Sequence, residues 1–217
     1  MNDINNRIKR LDPSVIETAK KFTSATLHEA FKKGGAIDRS IKPIDTGLVM
    51  CGSAFTVSCA AGDNLGLHIA LDLAEPGDVL VAKTNGSADF GYWGEIMAAA
   101  AMQKGISGIV IDGCVRDYAQ IRKLKFPIFS KGLCIRGTNK NLFYSINYPI
   151  VLGNVLINPG DLILGDEDGV VVIDQDQVSE VIERAIEREK KEKLIIEGLN
   201  KGKSLRELLV SSGFIPK

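Results

Sequence analysis

The sequence predicts a mixed α/β fold in a single domain, and three observations carry that expectation. Apolar runs of strand character, Val49 to Ala60, Val79 to Ala82 and Gly108 to Gly113, alternate with helix-like stretches through the middle of the chain. Short strands broken by turn residues follow as far as Ile173, and a long charged helical segment comes after them. No internal repeat, low-complexity tract or linker divides the 217 residues, so 1–217 reads as one unit, long enough to bury its own core.

Taken in order, Asp12 before Pro13 marks a helix start, and Thr26 with Glu29 forms a capping box before a helix that stops at Gly34-Gly35. The first third is therefore expected to be largely helical. Val49, Cys51, Phe55, Val57 and Cys59 share one alternating face, the period of a half-buried strand. Asn64 to Leu73 reads as a helix, Glu75-Pro76-Gly77-Asp78 as a turn and Val79 to Ala82 as a short buried strand. Glu95 to Lys104, dense in Ala and Met, predicts a helix ending at Gly105, and Gly108 to Gly113 a compact apolar strand. Short connections between these pieces imply βαβ packing.

From Pro149 to Ile173 the pattern changes. Turns at Asn158-Pro159-Gly160-Asp161 and Asp166-Glu167-Asp168-Gly169 point to antiparallel pairing. A helix over 177–199 and a short one around 204–209 follow; residues 177–212 are expected to be peripheral, solvated on most faces by their Glu, Arg and Lys.

Composition narrows the function classes. Lys plus Arg number 27 and Asp plus Glu also 27, so no overall field attracts nucleic acid or an anionic membrane. The start lacks the apolar core of a signal peptide, and no apolar run approaches the roughly 18 residues of a membrane span. The expectation is a soluble, cytoplasmic protein with neither nucleic acid nor membrane as partner. Cys51, Cys59, Cys114 and Cys134 show no Cys-x-x-Cys spacing and read as buried reduced thiols. There is no Walker loop, dinucleotide fingerprint or Gly-x-Ser-x-Gly elbow, so nucleotide use and serine hydrolysis have no support.

Two segments carry chemistry. Gly91-Tyr92-Trp93-Gly94-Glu95-Ile96-Met97 is a glycine-punctuated loop running into a helix, whose first-turn N–H groups can receive a small carboxylate. Taken alone it is also an ordinary strand-to-helix connection. Arg116 and Asp117 follow a central strand, where open α/β sheets place their ligands. Arg116 offers a planar fork to a 2-oxo carboxylate, and Asp117 offers hard oxygens to Mg²⁺ or Mn²⁺. Carbon–carbon cleavage beside a 2-oxo group needs an electron sink, either a divalent cation or a lysine Schiff base. Lys83, at the end of an apolar strand, competes for that second role, although a lysine there can reach water. His28 and His68 fall on expected helices as structural histidines, with His68 also placed to orient a site residue. The segment Asp166 to Gly169 is too short for a calcium loop and reads as a hairpin turn.

At these residues the chain resembles the 4-hydroxy-4-methyl-2-oxoglutarate aldolase family, related to the RraA-type regulators of ribonuclease activity. The matching stretches are Thr26-Leu27-His28-Glu29-Ala30, Gly62-Asp63-Asn64, Glu75-Pro76-Gly77-Asp78, Gly94-Glu95, Asp112-Gly113-Cys114-Val115-Arg116-Asp117, Asn158-Pro159-Gly160-Asp161 and Asp168-Gly169-Val170-Val171-Val172. The resemblance implies a sandwich of αββα type, of the swivelling β/β/α kind, with helices at both termini. It also implies a homotrimer or a hexamer of paired trimers with sites at subunit interfaces. The implied activity is Mg²⁺- or Mn²⁺-dependent cleavage of 4-hydroxy-2-oxo diacids to pyruvate and a second oxo acid, with oxaloacetate decarboxylation beside it.

Carried over by position, the resemblance has Arg116 bind the pyruvyl moiety, Asp117 ligate the metal, and the Gly94-Glu95-Ile96-Met97 turn hold the carboxylate through the Ile96 and Met97 amides. Glu95 holds metal-bound waters, and Glu192 of the closing helix, with Glu189 as its rival, reaches toward a neighbour's metal waters. No side chain is assigned as proton donor to the enolate; a metal-bound water is what the resemblance suggests. The regulatory branch of the same superfamily is a non-catalytic binding protein. In that branch the residue after the arginine is typically replaced and the acidic loop residue is missing. This chain keeps Glu95 and Asp117, which favours the lyase.

Overall fold

The computed structural model describes residues 3–85 and 87–216. Its first half runs β1 (Asp3–Ile4), α1 (Pro13–Ala19), α2 (Ser24–Ala30), β2 (Lys42–Pro43), β3 (Met50–Cys59), α3 (Leu65–Leu73), β4 (Asp78–Lys83), β5 (Gly91–Trp93) and α4 (Glu95–Lys104). Then come β6 (Gly108–Ile111), β7 (Cys114–Val115), α5 (Tyr118–Leu124), β8 (Ile128–Ser130) and β9 (Gly132–Leu133). Last are β10 (Phe143–Ile146), β11 (Ile150–Leu152), β12 (Val155–Ile157), β13 (Leu162–Gly165), β14 (Val170–Ile173), α6 (Val178–Asn200) and α7 (Leu205–Ser211).

The middle of the main sheet is parallel, in the order β3-β4-β6-β8, and each step between neighbours passes through a helix: α3, then α4, then α5. That is the βαβ arrangement the alternating sequence predicts. Strand β3 is long enough to serve two antiparallel partners on its other side. Met50 to Ser53 pair with β13, and Val57 to Cys59 pair with β10. Hairpins β11–β12 and β13–β14 occupy the region where turn signals predict antiparallel pairing.

Side-chain alternation explains the layering. In β4, Leu80 and Ala82 face one way and join Leu67, Ala70 and Leu71 of α3, Met97, Ala98 and Ala101 of α4, and Ile121 of α5. Val79 and Val81 face the other way, with Val110 and Phe129, against Ile150, Leu152, Ile157, Ile163, Val170 and Val172 of the hairpins. A third cluster joins the outer face of β13 and β14 to α1, α2 and α6 through Leu27, Leu162, Leu164, Val171, Val181 and Ile182. Helices, sheet, hairpin layer and helices make the expected αββα stack, with helices at both ends of the chain.

Two expectations need correction in detail. The strand beginning near Val49 is buried on both faces from Met50 to Val57 rather than on one, because the hairpin layer covers the face that alternation alone leaves to water. The cap of α2 is Thr23, whose hydroxyl accepts the Thr26 N–H at 3.1 Å, so the capping signal lies three residues earlier than the Thr26–Glu29 pair. The long helix is solvated over most of its surface, as its charge suggests: α6 buries Val178, Val181, Ile182 and Ala185 on α1 and α2, also buries Ile195 and Gly198, and exposes most of its other residues.

Candidate active site

The loops leaving the carboxyl ends of the four parallel strands converge on one cleft of about 190 Å³. After β3 come Asn64 and His68; after β4, Gly91, Tyr92, Gly94, Ile96 and Met97; after β6, Arg116 and Asp117; after β8, Gly137, Thr138 and Lys140. This is the edge at which a parallel sheet presents ligands, because each crossover helix begins there.

Arg116 and Asp117 are held by a small parallel sheet, β5-β7-β9, laid over those strand ends. The Arg116 N–H donates to the Trp93 carbonyl at 2.8 Å, which ties the turn to β5. Asp117 has a left-handed backbone, φ 61° and ψ 36°, a conformation that Asp and Asn accept more readily than most residues. Its carboxylate turns back toward α4: Oδ2 accepts the Glu95 N–H at 3.1 Å and lies 3.7 Å from Arg116 Nε. Gly94 permits this approach, since a Cβ there would stand 2.4 Å from Asp117 Oδ2 and 3.4 Å from Arg116 Nε.

The start of α4 is open to a ligand. Its first intrahelical bond is Ala98 N–H to Gly94 carbonyl, and among the described residues the Ile96 and Met97 amides have no acceptor. With the Arg116 guanidinium beside them, these donors form an electropositive lip facing Asp117.

Another part of the lining is polar and partly unsatisfied. Asn64 donates through Nδ2 to the Tyr92 carbonyl at 2.8 Å and leaves Oδ1 buried without a partner. His68 leaves Nε2 in the same condition. Burial first, then the Lys140 charge, push the His68 pKa below its ordinary value, against a smaller upward pull from Asp72. Asn64, His68 with its neutral imidazole, and Lys140 line the cleft together with these donors.

Of the residues singled out from the sequence, Gly94, Ile96, Met97, Arg116 and Asp117 are brought together here. Glu95 takes part through its amide, while its carboxylate is exposed. Glu192 does not join them within the chain: it pairs with Arg188 at 2.8 Å and lines a groove with Glu189, Lys21 and Phe22. Lys83 is absent from the lining, and His28 bonds through Nδ1 to the Gly34 carbonyl at 2.8 Å. The segment Asp166 to Gly169 is a hairpin turn whose Asp166 carboxylate accepts the Ser24 N–H and hydroxyl. Burial pushes Cys51 and Cys59 up to about 12 and Cys114 upward, as inert thiols require.

Sequence reading missed Asn64, Gly137, Thr138 and Lys140 as site residues. A signal existed for the last three: they follow the fourth parallel strand as Arg116 and Asp117 follow the third.

A divalent cation fits this donor set in one form only. Among the described residues no three His, Cys, Asp or Glu side chains converge, so a closed zinc or calcium cage is not built here. A single accessible carboxylate opening on a polar cleft suits Mg²⁺ or Mn²⁺, which keep most of their water and take one or two carboxylates plus substrate oxygens.

Arg116 and Asp117 also border a second groove of about 300 Å³ with Val115, Tyr118, Leu133, Cys134 and Ile135. Ile135 is 95% exposed and Ile96 83% exposed, which puts apolar side chains in water on both sides of the cleft.

A family model described as RraA-like, Aldolase/RraA, matches residues 24–172. Over 146 residues the chain is 41% identical to a Halalkalibacterium halodurans protein named "Putative 4-hydroxy-4-methyl-2-oxoglutarate aldolase", an alignment covering 67% of this chain and 70% of that one. A solved structure of an uncharacterized protein from Pseudomonas syringae pv. tomato superposes with a TM-score of 0.86 at 30% identity, covering 94% of this chain and 97% of that one. Streptomyces coelicolor RraAS2, described as an unusual member of the RNase ES inhibitor RraA protein family, superposes with a TM-score of 0.79 at 28% identity, covering 87% and 98%.

Proposed function

The chain belongs to the RraA-like family, and from that premise we propose that it is a divalent-metal-dependent class II lyase. It cleaves 4-hydroxy-2-oxo diacids such as 4-hydroxy-4-methyl-2-oxoglutarate to pyruvate and a second oxo acid, and it decarboxylates oxaloacetate. The observation that carries this reading is the meeting of Arg116, Asp117 and two unpartnered helix-start amides in one cleft. The name borne by the Halalkalibacterium halodurans relative supports it.

Arg116 holds the 2-oxo acid end of the substrate with its planar fork, and the Ile96 and Met97 N–H groups donate to the adjoining carboxylate. Asp117 would hold Mg²⁺ or Mn²⁺, with Glu95 and the partner subunit's Glu192 near its waters, and the bound ion would supply positive charge to the substrate carbonyl oxygen. The Arg116 guanidinium adds positive charge to that end. Lys140, in the same lining, takes the distal carboxylate of a diacid. A mono-acid lacks the group that Lys140 reads.

The exposed Ile96, Leu133 and Ile135 support association of this face with another copy, in a homotrimer or a pair of trimers. A second reading, a binding protein that restrains a ribonuclease, draws on the likeness to RraAS2. Pyruvate release by the purified protein from oxaloacetate and a panel of 4-hydroxy-2-oxo acids, with and without Mg²⁺ or Mn²⁺, separates the two. Silence across the panel together with tight binding to a ribonuclease reverses the assignment.

A further inference from the structure

Asp63 does not touch the cleft, yet it is bonded to two segments that line it, one carrying Asn64 and His68 and the other Lys140. It is 4% exposed, and both of its oxygens are occupied by backbone donors. Oδ1 accepts the Leu65 N–H at 2.9 Å, in the first turn of the helix that carries Asn64 and His68. Oδ2 accepts the Asn141 N–H at 2.7 Å and the Leu142 N–H at 3.3 Å, just beyond Lys140.

The backbone closes the same seam. Asn139 N–H donates to the Gly62 carbonyl at 2.8 Å, and Asn64 N–H donates to the Asn139 carbonyl at 3.1 Å, an isolated parallel bridge between Asp63 and Asn139. Gly62 N–H donates to the Tyr92 hydroxyl at 2.7 Å, which fixes the seam to β5. Lys140 thus stands between residues 139 and 141, both tied to the 62–64 turn. No ion pair of Asp63 occurs among the described residues, so three amide hydrogens carry the electrostatic compensation of this buried carboxylate.

We infer that Asp63 is a positioning residue that sets the distance between Lys140 and Arg116, and so the length of diacid the site accepts. The inference rests on the lyase reading for its consequence in catalysis, but the seam itself is independent of it. An uncharged amide cannot substitute. Asn at 63 keeps one acceptor oxygen and turns an NH₂ group toward the donors of either Leu65 or residues 141 and 142. Ser at 63 can still accept the Leu65 N–H two residues on, but cannot reach the second loop.

The test compares the full chain with Asp63→Asn and Asp63→Ser, alone and combined with Lys140→Ala. Steady-state decarboxylation of oxaloacetate with Mg²⁺ is measured beside amide hydrogen exchange over residues 138–142. Both substitutions are expected to raise KM about tenfold while kcat falls less than about threefold, and to speed exchange of the Asn141 and Leu142 amides at least about tenfold. In the Lys140→Ala background the KM should rise no further, because the positioned group is already gone. Equal losses in kcat and KM, or additive effects with Lys140→Ala, overturn the positioning role. If the unsubstituted protein releases no pyruvate from any oxo acid, the lyase reading fails by itself and exchange decides the seam. Accelerated exchange in Asp63→Ser then sustains it, and unchanged exchange overturns it.

Discussion

The Asp117 carboxylate accepts the backbone N–H of Glu95 at 3.1 Å, a bond that joins two segments 22 residues apart. It uses one of the donors at the head of α4 and leaves those of Ile96 and Met97 free. The same contact orients the carboxylate, so the proposed metal ligand and the proposed carboxylate lip are set by one interaction.

That geometry depends on Gly94 for steric reasons alone. Its backbone, φ −142° and ψ −173°, is extended and open to any residue, but a Cβ would fall 2.4 Å from Asp117 Oδ2. Gly94→Ala is expected to displace the carboxylate and lower Mg²⁺-dependent pyruvate release from oxaloacetate at least about 100-fold, with the melting temperature moving by less than about 4 °C. Mg²⁺ titrations of activity beside thermal melts check this. Full activity in the alanine variant would mean that Asp117 need not sit where it does.

Asp117→Asn tests the charge without disturbing the turn. Asparagine tolerates the left-handed backbone found there and keeps an oxygen that can accept the Glu95 N–H. Divalent-dependent turnover should therefore vanish, at least about 100-fold down, while the far-ultraviolet dichroism is unchanged. Retention of metal-dependent activity would place the ligand elsewhere.

Arg116→Lys separates geometry from charge. Lysine keeps the positive charge but loses the planar fork, so KM for oxaloacetate should rise about tenfold or more with a smaller fall in kcat. Steady-state kinetics at saturating Mg²⁺ decide it, and an unchanged KM would remove Arg116 from substrate binding.

Much of this was legible in residue patterns, and the exceptions have physical causes. Alternating apolar strands and Ala-rich helices announced the βαβ core, because parallel strands buried on both faces and their crossover helices differ in period. Arg116 and Asp117 were visible because they directly follow a strongly apolar strand. Lys140 was harder to see, since β8 has only Ile128 to Ser130 and nine residues lie between it and the lysine, across a Gly-Thr-Asn loop without periodicity. The second-face burial of β3 was equally hidden: it depends on hairpins about a hundred residues later, which no local window contains.

His68 supplies a prediction in pH. Burial and the nearby Lys140 hold its pKa below 6.5, with Asp72 opposing, so over that range the unfolded chain binds more protons than the native state. Stability then rises with pH: the contribution of neutral His68 is fully present above 6.5 and is lost as pH falls through the depressed native value. His68→Gln removes the titration while keeping a polar side chain against the cleft. Urea midpoints of both proteins at about pH 8, 7, 6 and 5 should show the unsubstituted protein losing ground to the variant as the pH drops. A gap that stays constant over that range, or widens in favour of the unsubstituted protein on acidification, would show that the native state does not disfavour the imidazolium.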